Sequence, residues 1–281
     1  MRGGTLYVVA TPLGHLGDLT ARAAELLRAV AVVAAEDTRR TRILLDHLEA
    51  RPRVLSYHAH SAPGAARQIL SALADGSDVA LVTDAGTPGI SDPGAELVAQ
   101  VRESGFAIVP LPGPSAVTTA LSAAGLPADR YVFLGFLPRK GSERERQLKR
   151  IAAEESTMVF FESPNRLAEL LRDLAEVCGD DRRAMVGREL TKMHEELRAG
   201  TLAELLAPLA DGTALVRGEC TVVVAGGEAA ETEGDLPAAR LLAGRLLAEG
   251  VSRKAAAAIL TEFFGVTRNV AYKLATEAPE A

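Results

Sequence analysis

The first two thirds of the chain repeat one pattern: a short apolar run, a loop rich in glycine and proline, then an amphipathic stretch. Apolar runs without polar alternation suit strands that are covered on both faces of a parallel sheet. The pattern predicts strands over residues 5–10, 30–35, 53–57, 79–82 and 106–110. Helices are expected over 21–28, capped by Thr20, and over 67–74 and 115–124. Asp92-Pro93 reads as an N-cap followed by proline at the first helical position, opening a helix that runs through Arg102 and stops at Gly105. Strand, Gly/Pro loop and helix in repetition describe an α/β fold built on a parallel sheet.

The character changes over residues 121–138, where Gly125-Leu126-Pro127 reads as an interdomain linker. Beyond it, strands are expected at 131–136, 158–162, 184–188 and 221–225, with helices near 167–177 and 201–209. Residues 226–234 (GGEAAETEG) are acidic, poor in large apolar side chains, and read as a flexible linker. Residues 236–277 then form a helical module. Leu241, Leu242, Leu246 and Leu247 make one stripe, Ser252 and Thr267 cap two further helices, and Gly265 ends the first of these. Helix, glycine turn, helix is helix-turn-helix spacing. The expected domains are therefore 1–122 and 123–228, both α/β, and 229–281, a linker with a small helical module.

With 281 residues, nearly half of them hydrophobic, two ordinary domains can form cores without disulfides. Cys178 and Cys220 fit no metal or redox spacing and are expected to be small buried hydrophobes. No signal pattern and no membrane-length apolar run is present, so a soluble, cytoplasmic protein is expected. The net charge of −6 argues against nucleic-acid binding over the whole surface. One stretch departs from it: residues 139–150 hold six cations against two anions, the best local candidate for contacts to a phosphate backbone. Residues 235–281, with six cations and five anions, suit partner docking as well as nucleic acid.

Candidate chemistry gathers in loops that follow the expected strands. The stretch 79–94, VALVTDAGTPGISDPG, ends a buried strand in a loop of three glycines, two prolines and two aspartates. There Thr83, Asp84 and Thr87 offer hydrogen-bonding groups where glycines let a ligand approach closely. Glu36 and Asp37, followed by Arg39, Arg40 and Arg42, form either a solvated helix start or a rim that meets phosphates. Pro112-Gly113-Pro114-Ser115 opens a helix with free first amides. Polar groups also follow the strands at 158–162 and 184–188. His58 and His60 lack a third ligand cluster, so no metal site is expected. GxGxxG is absent, which excludes the dinucleotide fingerprint and disfavours a Rossmann-type methylase.

Taken together, ATPLGHLGDLTARA, EDTRRTRILLDHL, VTDAGTPGISDPG, LPGPSAVTTAL, FLGFLPRKGSER, ESPNRL and RELTKMHEE resemble the bacterial 16S rRNA (cytidine-2′-O)-methyltransferases. That family belongs to the tetrapyrrole-methylase fold class, and the resemblance spans residues 5–225 in order. It implies two α/β domains with S-adenosylmethionine in the cleft between them, a C-terminal helical module, and a homodimer. The implied reaction methylates the ribose 2′-OH of a cytidine in the decoding region of 16S rRNA in the small ribosomal subunit.

Carried over by motif, the resemblance implies cofactor contacts from Pro12, Leu13, Asp84, Gly86, Thr87, Ile90, Ser115 and Ala116, with Phe161 and Leu190 covering the adenine or methionine. Two positions depart from the family pattern: His15 stands where asparagine is usual, and Asn165 where histidine is usual. A 2′-OH needs a general base, and the candidates are Glu36, Asp37, Glu189 and, if burial lowers its pKa, Lys192. Arg39, Arg139, Lys140 and Arg166 are the expected RNA contacts. The alternatives are a small-molecule methylase of the same fold, and a regulator that uses the helical module on DNA.

Overall fold

The computed structural model describes residues 3–58, 63–210, 218–227 and 236–277. The first sheet holds β1 (Thr5–Val9), β2 (Val32–Ala35), β3 (Arg53–Ser56), β4 (Val79–Val82) and β5 (Ala107–Leu111). All its pairings are parallel, in the order β3-β2-β4-β1-β5. The connecting helices are α1 (Ala21–Ala29), α2 (Thr38–His47), α3 (Pro63–Ala74), α4 (Ala95–Glu103) and α5 (Ala116–Ala124).

β4 shows why its sequence has no polar alternation. Ala80 and Val82 pack with Ala23, Leu27, Leu44 and Leu45 of α1 and α2. Val79 and Leu81 point the other way, onto Ile69, Leu73, Leu97 and Val101 of α3 and α4. Both faces are covered, so every strand position is apolar. Each large side chain buried this way contributes roughly 1.5–3 kcal/mol.

The second sheet runs β6-β7-β10-β8-β9. Its strands are β6 (Tyr131–Gly135), β7 (Thr157–Glu162), β8 (Arg183–Arg188), β9 (Glu196–Thr201) and β10 (Cys220–Val224). Only β6 and β7 are parallel; the other pairs are antiparallel. Helices α6 (Ser142–Ala152), α7 (Leu167–Cys178) and α8 (Leu202–Ala210) cover one face through Ile151, Leu170, Leu171, Leu174, Leu202 and Leu205. α5 covers the other, with Val117, Ala120 and Leu121 against Val159, Met185 and Val223. A helix that follows the first sheet thus packs on the second, and both sheets belong to one compact unit, Met1–Ala152 with Ser156–Ala225.

Several expectations change. β9 is not foreseen, because it is an edge strand paired only with β8 and carries exposed Leu197, Arg198 and Ala199 instead of an apolar run. α4 begins at Ala95 and not after Asp92: its N-cap is Gly94, at φ +143, with no side-chain cap. Cys220 is buried, but Cys178 is only half-buried. Arg144, counted among the cations of 139–150, is buried and binds Asp173 (Nε to Oδ2, 2.7 Å) and the Pro138 carbonyl.

The second unit, Ala153–Glu155 with Gly226–Ala281, contains α9 (Leu236–Ala248), α10 (Arg253–Phe264) and α11 (Arg268–Glu277). Alanines 239, 243, 256, 257, 271 and 275 bring the helices together around Leu260 and Leu274. The expected caps are present: the Ser252 hydroxyl accepts from the Ala255 amide, Gly265 takes the left-handed C-cap, and the Thr267 hydroxyl accepts from the Val270 amide. Leu241 leaves its expected stripe and is 64% exposed. Most of the expected linker, and His60, lie outside the described residues. Among the described residues no helix is long and apolar enough to cross a membrane, and no metal-binding cluster occurs.

Candidate active site

The loops that leave β1, β2, β4 and β5 meet along one edge of the first sheet, where open parallel sheets bind ligands. Pairing brings a second set of loops together. Cys220 stands opposite both Glu162 and Arg188, so the start of β10 lies between the ends of β7 and β8. Between the two sets is a cavity of about 400 Å³. Small-molecule sites span roughly 300–1,000 Å³.

Backbone bonds hold the loop after β4. Thr11 and Gly86 exchange two bonds of 2.9 Å, and the Thr11 hydroxyl donates to the Thr83 carbonyl at 3.0 Å. Gly86 sits at φ +82, with Leu13 beside the place a Cβ would occupy. Thr87, expected to face a ligand, donates its hydroxyl to the Pro114 carbonyl at 3.1 Å. It ties the β4 loop to the β5 loop while still lining the cavity. Ser91 has φ +60, a left-handed conformation that is strained for serine, next to Asp92.

The cavity has an apolar side and an acidic side. Leu13, Ile90, Phe136, Phe161 and Leu190 supply the first. Phe161 is edge-on to Phe133 and Phe136, with ring centroids 4.9 and 5.8 Å away. Glu36, Asp84, Asp92, Glu162 and Glu219 supply the second, with Arg40 the cation among the described lining residues. Asp84 accepts from the Asp37 amide at 3.1 Å and pairs with Arg40 at 3.4 Å. Its own amide donates to Glu36 at 3.3 Å.

This crowding changes proton affinities. Burial, helped by the neighbouring Glu36 charge, pushes the Asp92 carboxyl up to about 7. Burial also raises Glu36, with the Asp84 charge adding to it. Asp37 moves the other way: the Arg39 guanidinium and amide hold it down to about 2. Lys192 reverses its expectation. Burial pulls it down, but hydrogen bonds to Glu189 and Glu219 (2.9 and 3.0 Å) outweigh burial and hold it above its ordinary value. Burial likewise pushes Glu189 up, yet Lys192 and the Glu219 amide hold it lower than an ordinary glutamate.

Of the expected cofactor residues, Leu13, Asp84, Gly86, Thr87, Ile90, Ser115, Ala116, Phe161 and Leu190 line this cavity. Pro12 lines a smaller neighbouring one of about 190 Å³. Of the four base candidates, only Glu36 lines the large cavity. Asp37 serves as the N-cap of α2, and Glu189 and Lys192 form an ion-paired strut with Glu219. Arg39, Arg139 and Lys140 are exposed. Arg166 is turned inward, paired with buried Glu162 at 3.3 Å and bonded to the Leu137 carbonyl. In the chain alone, its contacts are therefore structural ones, with its side chain 20% exposed. Sequence reasoning missed Asp92 as a cavity residue and also Glu219 with Thr221, which only the strand order brings here.

The model of the Tetrapyrrole (Corrin/Porphyrin) Methylases matches residues 5–206, the segment that builds both sheets up to α8. The chain belongs to this family. It is 46% identical over 274 residues to the ribosomal RNA small subunit methyltransferase I of Escherichia coli O157:H7, covering 98% of this chain and 95% of that protein. It is 45% identical over 277 residues to the protein of the same name in Pseudomonas aeruginosa, covering 99% and 98%. The methyltransferase CobJ shares the fold at a TM-score of 0.61 and 20% identity, covering 79% of this chain and 94% of that one. So does a uroporphyrin-III C-methyltransferase from Thermus thermophilus, solved with S-adenyl homocysteine, at a TM-score of 0.57 and 20% identity over 79% and 97%.

Both departures from the family pattern have a local account in this tetrapyrrole methylase. His15 Nδ1 accepts from the Gly17 amide at 3.1 Å, capping the short 3-10 turn Leu16–Asp18. An asparagine side chain makes the same kind of bond two residues on. Asn165 is exposed in the short turn Pro164–Arg166.

Proposed function

We propose that this methyltransferase uses S-adenosylmethionine to methylate the ribose 2′-oxygen of a cytidine in the decoding region of 16S rRNA. The observation that carries the reading is the two-sided cavity at the carboxyl ends of the parallel strands, in a chain so similar to small-subunit rRNA methyltransferases. The residues fit the cofactor. Acidic side chains suit its ammonium and sulfonium charges, the aromatic and aliphatic wall suits an adenine, and Gly86 admits close backbone approach. Bound there, the cofactor supplies a methyl group already activated by its positive sulfur.

The chain's own contribution is then to hold the acceptor in line and to take its proton. Asp92 and Glu36 are the carboxylates placed to take that proton, since both line the cavity and both have raised proton affinity. Asp84, amide-bonded and next to Arg40, provides a fixed negative charge. The protein acts in the cytoplasm as a homodimer on the small ribosomal subunit.

Labelled S-adenosylmethionine and unmethylated small subunits, followed by nuclease digestion and nucleoside mass spectrometry, test the reaction. Labelled 2′-O-methylcytidine is the expected product. A labelled base, or no transfer to subunits or free 16S RNA while the cofactor still binds, would move a small-molecule acceptor to first place.

RNA approach is assigned to the exposed cations Arg139 and Lys140, just before α6. Replacing both by alanine should weaken RNA binding and flatten its logarithmic salt dependence by roughly 1.4, about 0.7 per lost phosphate contact. Filter binding across a salt series reads this directly. An unchanged slope would remove these residues from the interface.

A further inference from the structure

Beside the cofactor cavity lies the second cavity, of about 190 Å³. The two share Leu13, Arg40 and Asp84, so the Arg40–Asp84 ion pair stands in the partition between them. We propose that this smaller cavity is the acceptor subsite, taking one flipped-out pyrimidine ribonucleotide, with Arg40 exchanging Asp84 for the nucleotide's phosphate. The proposal rests on the RNA reading above and names the place where the acceptor sits.

Four observations carry it. In-line transfer requires the acceptor oxygen to reach the methyl group, so an acceptor site must adjoin the cofactor cavity. This one does, across the wall formed by Leu13, Arg40 and Asp84. Second, its size suits a single ring or sugar and is far too small for a tetrapyrrole macrocycle. Third, its walls include Leu16 and Ile43, large apolar side chains that are 39% and 66% exposed, with Leu13 beside them. Apolar surface of this kind is what an unstacked base needs on leaving its neighbours. Fourth, Arg40 is accessible, its side chain 60% exposed, and its partner distance of 3.4 Å marks a loose pair that an incoming phosphate can replace.

The partition also carries the chemistry. Thr83 lines the smaller cavity with its hydroxyl buried, and Asp92, on the same loop after β4, lines the larger one. A ribose lodged against Asp84, which lines both cavities, would therefore present its hydroxyl toward the cofactor cavity, whose wall includes Asp92.

The test uses the full-length protein and a short single-stranded RNA with 5-iodocytidine at the acceptor position. Irradiation, digestion and mass spectrometry should place the crosslink on residues 12–16 or 40–44, with or without cofactor. Ile43→Glu, a change at an exposed side chain, should lower this crosslinking and lower kcat/KM for RNA by roughly tenfold or more, the worth of a lost base contact. S-adenosylhomocysteine affinity should stay within about twofold, since Ile43 does not line the cofactor cavity. Crosslinks mapping only elsewhere, or an Ile43→Glu variant with wild-type crosslinking and kcat/KM, would overturn the subsite while leaving the rRNA reaction standing. Failure of the unmodified protein to form 2′-O-methylcytidine would instead overturn the reaction itself.

Discussion

Replacing Asp84 by alanine is expected to weaken S-adenosylmethionine binding by about a hundredfold or more, the scale of removing one member of a partly desolvated charge pair. The residue lines both cavities, accepts the Asp37 amide at 3.1 Å and faces Arg40 at 3.4 Å. Its loss takes a negative charge from the wall and leaves Arg40, a cation, without that partner beside a cationic ligand. Asp84→Asn separates charge from shape, because the amide oxygen can still accept from Asp37. In that variant S-adenosylmethionine should lose more affinity than the uncharged-sulfur product S-adenosylhomocysteine. Calorimetric titration of both ligands reads the difference, and a thermal melt of each variant checks that the fold persists. An Asp84→Ala protein that binds S-adenosylmethionine within about twofold of wild type would remove this loop from the cofactor site.

The position of Asp84 is legible in sequence because its strand is: residues 79–82 are apolar without interruption, and both faces prove to be covered. The same logic locates the Leu13, Glu36 and Ser115 loops, each following a strand of the parallel sheet. The opposite wall is harder to read. Glu219 and Thr221 reach the site only because β10 runs antiparallel between β7 and β8, and strand order is a long-range property that local pattern does not encode. β9 is invisible for another reason, since an edge strand facing water carries no apolar signature. Arg166 and Lys192 show a third limit. A cation after a strand looks the same in sequence whether it meets a ligand or a carboxylate such as Glu162 or Glu189.

Asp92 is the most instructive misreading, and it yields the other large prediction. Asp-Pro has the signature of a helix cap, but the positive φ angles at Ser91 and Gly94 delay the helix to Ala95 and leave the Asp92 carboxyl lining the cavity. Asp92→Asn should lower kcat by about 10²–10⁴, the usual contribution of a positioned proton acceptor. In the unmodified protein kcat/KM should rise with pH through about 7, the value to which burial and the Glu36 charge push this group. That limb should disappear in Asp92→Asn. Because Glu36 is coupled to it, Glu36→Gln should move the limb to lower pH and retain it. Stability gives a readout independent of turnover. A carboxyl raised in the folded state favours folding fully below its unfolded value of about 4, and this contribution is lost as pH rises through about 7. Above that pH the ligand-free Asp92→Asn protein should therefore be the more stable one, by roughly 1–2 kcal/mol once solvent screening of a half-exposed group is allowed for. At about pH 4 the two proteins should melt together. A variant that gains this stability but keeps its rate and its pH limb would show that Asp92 is only a partly buried acid of the wall, and the proton would then have to pass to Glu36.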